Sequence, residues 1–126
     1  MKNLAHLLMA LLVAILVLFG ATAAMAQDPV KVDSKHYKVE FENDQVRVLR
    51  VTYGPGEKSV MHDHPDSTVV LLTDEHVKFT YPDGKTEENH GKAGGIGWIK
   101  AGKHLPENEG TKKFELILVE LKTKAK

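Results

Sequence analysis

Cysteine is missing from this chain altogether. Its absence excludes disulfide staples, thiolate metal sites, cysteine nucleophiles and lipid attachment through sulfur. Any metal must therefore sit on nitrogen and oxygen ligands. A charge excess is missing too: 17 Lys and Arg face 17 Asp and Glu over 126 residues. Nucleic-acid binders carry a basic stripe and disordered tails a run of one sign, so neither class fits. Aromatic residues are sparse at 6 %. Most of the rings are then needed for packing, and Trp98, Tyr53, Phe79 and Phe114 are expected in a core rather than around a ligand. After residue 26 no apolar stripe holds helical spacing for three turns, which argues against a helical body. The glycine-rich stretch Gly91–Gly97 lacks a following helix and a Lys-Ser/Thr pair, so it is no phosphate loop. Neither Ser59 nor Ser67 has the setting of a nucleophile elbow. The length itself leaves room for one domain.

What is present begins with an unlike N-terminus. Lys2 supplies a positive start, Leu4–Phe19 is apolar but for His6, and Ala24-Met25-Ala26 has the A-x-A form of a cleavage site. This is the three-part pattern of a secretory signal peptide. The apolar run is shorter than the about 20 residues that span a bilayer. Cleavage after Ala26 is expected, giving a signal peptide at 1–26 and one domain at 27–126. The mature chain would be secreted or periplasmic, with no membrane attachment.

The body reads as strands. Tyr37–Glu42 alternates apolar and polar residues, and Asn43-Asp44 turns the chain. Val46–Tyr53 is a β-branched run whose alternation changes phase at Val48-Leu49, the mark of a bulge or of a strand apolar on both faces. Ser67–Thr73 and His76–Tyr81 follow. Pro82-Asp83-Gly84-Lys85 has hairpin-turn chemistry. Ile96–Lys100 is short, Phe114–Leu121 is the most apolar strand, and Lys122–Lys126 is expected to fray. Short strands this closely spaced imply an all-β barrel or sandwich.

The histidines that remain are not equivalent. His36 and His76 stand at strand starts and are expected on the surface; His90 precedes the glycines. His62 and His64 are two apart on an extended segment, so both rings project to one face and Asp63 to the other. Two neutral imidazoles side by side can share a cation. Asp66 and Glu107 lie close by in sequence and are either orienters of an imidazole N–H or surface carboxylates; the exposure usual for acids favours the surface.

Gly56 to His64 has the form G-x5-H-x-H, and about forty residues on Gly102-Lys103-His104 opens a segment ending H-x3-N at Asn108. On these motifs and the strand spacing the mature chain resembles the small single-domain members of the cupin superfamily. The resemblance implies a small antiparallel β-barrel of jelly-roll type. It also implies that His62, His64 and His104 hold a divalent transition metal, one of Fe, Ni, Cu, Zn or Mn, with Gly56, Gly102 and Asn108 shaping the turns. A homodimer is likewise implied.

The chain departs from the family's pattern where the first motif normally carries a glutamate. Thr68 and Val69 stand there, the motif's closing glycine is missing, and Lys100 replaces a proline. Three-histidine sites occur in the superfamily among thiol and diketone dioxygenases. A site without the carboxylate keeps the full +2 charge and favours an anionic ligand. Three functions are open: a metal-dependent enzyme, oxygenase- or isomerase-like, on a small anionic substrate; a non-catalytic module that holds a small ligand or the metal; or a metal-free barrel serving assembly or stress tolerance.

Overall fold

A computed structural model describes residues 27–123, so the expected leader at 1–26 lies outside the described residues. One helical turn, α1 (Pro29–Val32), comes first. Asp28 caps it by accepting from the Val30 amide, and Pro29 presets the backbone angle of its first position. Nine strands follow: β1 (Tyr37–Glu42), β2 (Val46–Tyr53), β3 (His62–His64), β4 (Ser67–Leu71), β5 (Glu75–Thr80), β6 (Thr86–Gly91), β7 (Ile96–Ile99), β8 (Gly102–Asn108) and β9 (Phe114–Leu121). They form a five-stranded sheet in the order β1-β2-β9-β4-β7 and a four-stranded sheet in the order β3-β8-β5-β6, with every pairing antiparallel. Among the described residues no helix is long and apolar enough to cross a membrane.

The period-two pattern decides which residues go inside. Along β2, Leu49, Val51 and Tyr53 are buried; along β9, Phe114 and Leu118 are. With Tyr37 of β1 and Val77 of β5 they make one core between the two sheets. The phase change at Val48-Leu49 coincides with a bulge in the partner strand. Val39 faces Leu49 but Phe41 faces Val48, which leaves Glu40 over. The hairpin at Pro82–Lys85 is also as expected: the Tyr81 amide donates to the Lys85 carbonyl at 2.9 Å. Gly84 sits there at φ 83°, where a side chain would be strained.

Three expectations are corrected. Trp98 is 59 % exposed, not core: it projects from the edge strand β7 on the face opposite the barrel interior. His36 is 5 % exposed, not solvated. It stacks on Tyr53 with ring centres 4.1 Å apart and lies between two carboxylates, Asp33 at Nδ1 (2.8 Å) and Glu57 at Nε2 (3.0 Å). Of the tail expected to fray at 122–126, Lys122 is held, its amide donating to the Gln45 carbonyl at 2.8 Å, and residues 124–126 lie outside the described residues.

Candidate metal centre

β3 is only three residues long, and its alternation sends His62 and His64 inward and Asp63 outward. It pairs with β8 so that His62 stands directly opposite His104. Gly102, at φ 155°, faces His64 in the same ladder. Asn108 fixes the far end of β8: its Nδ2 donates to the carbonyls of Tyr53, Gly54 and Lys112. Gly56, at φ 72°, provides the turn before β3, with its amide on the Asn108 carbonyl. The glycines and asparagine named from sequence therefore hold the backbone that carries the three histidines.

The three imidazoles are buried and meet. Ring centres are 4.8 Å apart for His62 and His64, 5.0 Å for His62 and His104, and 5.1 Å for His64 and His104. One nitrogen from each lies within 4.8 Å of the others. Neighbours fix which nitrogen holds the proton in two of the rings. His62 Nδ1 faces the Val60 carbonyl at 2.8 Å, and His64 Nδ1 faces a Glu120 carboxylate oxygen at 2.7 Å. Carbonyl and carboxylate oxygens only accept, so both Nδ1 atoms donate and both Nε2 atoms turn lone pairs inward. Those Nε2 atoms are 3.0 Å apart. Lone pairs that close repel unless a cation lies with them, and donors sharing an ion at about 2.0–2.1 Å stand about this far apart. The third ring adds the same signal, for His104 Nε2 is buried without a hydrogen-bond partner. A buried polar nitrogen left unpaired costs about 1–3 kcal/mol, and a metal would satisfy it. The residues present thus fit a divalent transition metal.

The electrostatics agree. Burial first, and then His64, lowers the His62 pKa to about 4. Burial first, and then His64 and His62, lowers that of His104 to about 3. Both rings are neutral at pH 7 and have no proton to shed before ligating.

Around the rings stands a second layer that the sequence reading missed. Glu120 is buried; burial alone would raise its pKa, but the bonds from His64 and Arg47 outweigh this and lower it. Arg47 Nε donates to Glu120 at 2.6 Å and its other arms reach Asp28 at 2.9 and 3.0 Å. A line of charge thus runs from the helix cap to His64. On the other side, Tyr53 donates to the Tyr37 hydroxyl at 2.9 Å, and Tyr37 in turn donates to His62 Nε2 at 3.1 Å, a bond that a metal on this nitrogen would replace. Ser59 donates to Asp33 at 2.5 Å and lies 3.2 Å from His62 Nδ1. One signal for Glu120 was legible: it falls on the inward face of β9 with Phe114, Leu116 and Leu118, a carboxylate where the pattern asks for an apolar side chain. Asp66 and Glu107, weighed as orienters, touch none of the three rings. Asp66 accepts from the Ala101 amide and Glu107 pairs with Lys78.

Beside His104 lies a cavity of about 620 Å³, bounded by Glu75, Phe79, Asn89, Ile99 and Leu116 among others. Phe79 stacks on His104 at 5.0 Å and forms the wall between cavity and core. Glu75 is the perturbed acid here: burial raises its pKa against a weaker opposing bond from Asn89. At the positions of the absent glutamate, Thr68 points outward and bonds the Gly97 carbonyl, and Val69 packs on the core.

Comparison with known proteins agrees with this architecture. No family model matches the chain, and no curated protein matches it. Solved structures do. A cupin domain from Bordetella pertussis Tohama I is similar at TM-score 0.64 and 24 % identity, over 69 % of this chain and 92 % of that one. An uncharacterized conserved protein with a double-stranded β-helix domain from Klebsiella pneumoniae is similar at TM-score 0.57 and 25 % identity, over 71 % and 78 %. An RmlC-like cupin family protein from Methanocaldococcus jannaschii is similar at TM-score 0.53 and 17 % identity, over 71 % and 83 %. The fold of this chain is that of the cupin superfamily, a double-stranded β-helix with three histidines gathered inside it.

Proposed function

We propose that the protein binds one divalent transition metal through Nε2 of His62, His64 and His104, and offers it to a small anionic or chelating molecule in the adjoining cavity. The observation that carries this is the convergence of three buried imidazole nitrogens, two aimed inward by fixed N–H donors and one with no partner. Three neutral ligands leave the ion's +2 charge uncancelled, which favours an anion. A bound cation would polarise an oxygen of the molecule that reaches it.

Within this reading the enzyme is favoured by Glu75. A carboxyl with a raised pKa in the cavity that holds His104 is suited to move a proton. The non-catalytic module is favoured by the remaining groups: Glu120 is committed to His64 and Arg47, and burial keeps the Tyr37 hydroxyl protonated. The protein, purified without a histidine tag and loaded separately with iron, nickel, copper and zinc, should be offered small carboxylates and diketones. Turnover that disappears in both His104→Ala and Glu75→Gln supports the enzyme. Binding without turnover supports the module. Failure to bind any of the four metals removes both.

The protein acts, in this proposal, as an exported homodimer. Its leader directs export and is removed after Ala26. The pairing surface is the outer face of the five-stranded sheet, where the register sets Phe41, Val48, Val119, Thr68 and Trp98 side by side across all five strands. Ile96, 77 % exposed, extends this apolar stripe, and such a face is covered most simply by its own copy.

A further inference from the structure

The hairpin of β5 and β6 carries a second group of metal-ligating side chains on its outer face. His76 and His90 occupy directly opposed positions in the ladder. Their rings stack with centres 3.9 Å apart and planes 23° from parallel. Glu88 lies two residues before His90, on the same face. One of its oxygens is 3.3 Å from His76 Nε2 and 4.0 Å from His90 Nε2. One ligand atom from each of the three lies within 4.8 Å of the others.

The neighbouring charges leave this carboxylate to the imidazoles. Lys78 is the residue opposed to Glu88 in the ladder. Its ammonium is turned away, to Glu107 at 3.1 Å and to Glu109. The ion pairs of Glu88 among the described residues are with the two histidines alone. His90 and Glu88 are exposed and His76 is half-buried, so an ion arriving from solvent meets no wall. Nor does the group share a residue with the buried triad, which faces the other side of the four-stranded sheet.

We infer that His76, Glu88 and His90 form a separate, solvent-open site for a divalent transition metal. Two imidazoles and one carboxylate suit zinc, copper(II) and nickel, and exclude a preference for calcium or magnesium, which want oxygen ligands throughout. Three protein ligands leave positions for water, so the ion exchanges freely, as befits a port that captures metal at the surface. The geometry needs little rearrangement because the strand ladder already fixes both histidine backbones.

The test is titration of the untagged protein, purified as an exporting host leaves it, with zinc and with copper(II), read as stoichiometry by calorimetry. The wild type should bind two equivalents. The double variant His76→Ala/His90→Ala should lose one and keep the melting temperature of the metal-free protein. Glu88→Gln should weaken the same site and leave the other unchanged. Histidine side-chain NMR signals on adding zinc give a reading independent of any variant, since His76 and His90 should shift. If the wild type binds a single equivalent that the double variant also loses, the surface site stands and the buried one fails. If the double variant binds as many equivalents as the wild type, and the His76 and His90 signals stay in place, the surface site is refuted.

Discussion

Glu120→Gln probes the layer that holds the metal ligands in position. The substitution keeps size and shape and removes one negative charge. Two charged contacts weaken: that to His64 Nδ1 at 2.7 Å and that from Arg47 Nε at 2.6 Å. Hydrogen bonds to charged groups are worth about 1.5–3 kcal/mol each, and Gln retains one acceptor oxygen, so the net loss should be about 3 kcal/mol. Arg47 keeps Asp28, which holds the loss below that of a fully stranded charge. At about 4–8 °C per kcal/mol for a domain of this size, the melting temperature should fall by roughly 12–24 °C. Urea unfolding should show a lower midpoint at unchanged slope. Metal affinity should fall by about 10–100-fold, the usual cost of losing the partner that orients a ligating histidine. The sign with pH is also fixed. The Glu120 pKa is lowered in the folded state, so its contribution is present above the ordinary carboxylate value and lost as pH falls below it. A variant that matched the wild type in both midpoint and metal affinity would show that Glu120 neither holds the fold nor orients His64.

Three further outcomes are expected. The metal-free protein should lose stability as pH falls from about 6.5 towards 4, because the unfolded chain takes up protons that buried His62 and His104 resist. For His62 alone, a pKa of about 4 implies roughly 3 kcal/mol, at about 1.4 kcal/mol per pH unit, and a flat unfolding midpoint across that window would contradict it. Intact mass of exported protein should correspond to a chain starting at Gln27, and a species retaining Met1 would overturn the leader. Sedimentation at micromolar concentration should give a dimer that Trp98→Lys converts to monomer; a wild-type monomer refutes the pairing.

Much of the barrel was legible because burial on one face writes itself as alternation. β1, β2 and β9 have the limits read from the sequence, and Val48-Leu49 marked a bulge that lies one strand over, at Glu40. β6 was not legible: Thr86–Gly91 is polar throughout and exposed, so pairing rather than burial makes it a strand. Trp98 was misplaced because ring size signals burial only where a second layer covers the face, and none of the described residues covers the outer face of β7. His62, His64 and His104 were legible from spacing. Of their supports only Glu120 left a mark, as a carboxylate on an inward face; Arg47 and the neighbouring pair Asp33 and Tyr37 reach the site only through the closed sheets. His36 was misread for the same reason: its two carboxylate partners, one 21 residues away, make burial tolerable.

The central claim is that three buried histidines hold one metal ion. Elemental analysis decides it on untagged protein purified without chelators and then passed through a mild chelating column that strips the exposed surface. The account predicts close to one equivalent of a single transition metal in the wild type and in His76→Ala/His90→Ala, and none in His104→Ala at retained β-sheet circular dichroism. A metal-free wild type that also takes up no zinc, nickel, copper(II) or anaerobic iron(II) at neutral pH, or an equivalent that survives in folded His104→Ala, would contradict it.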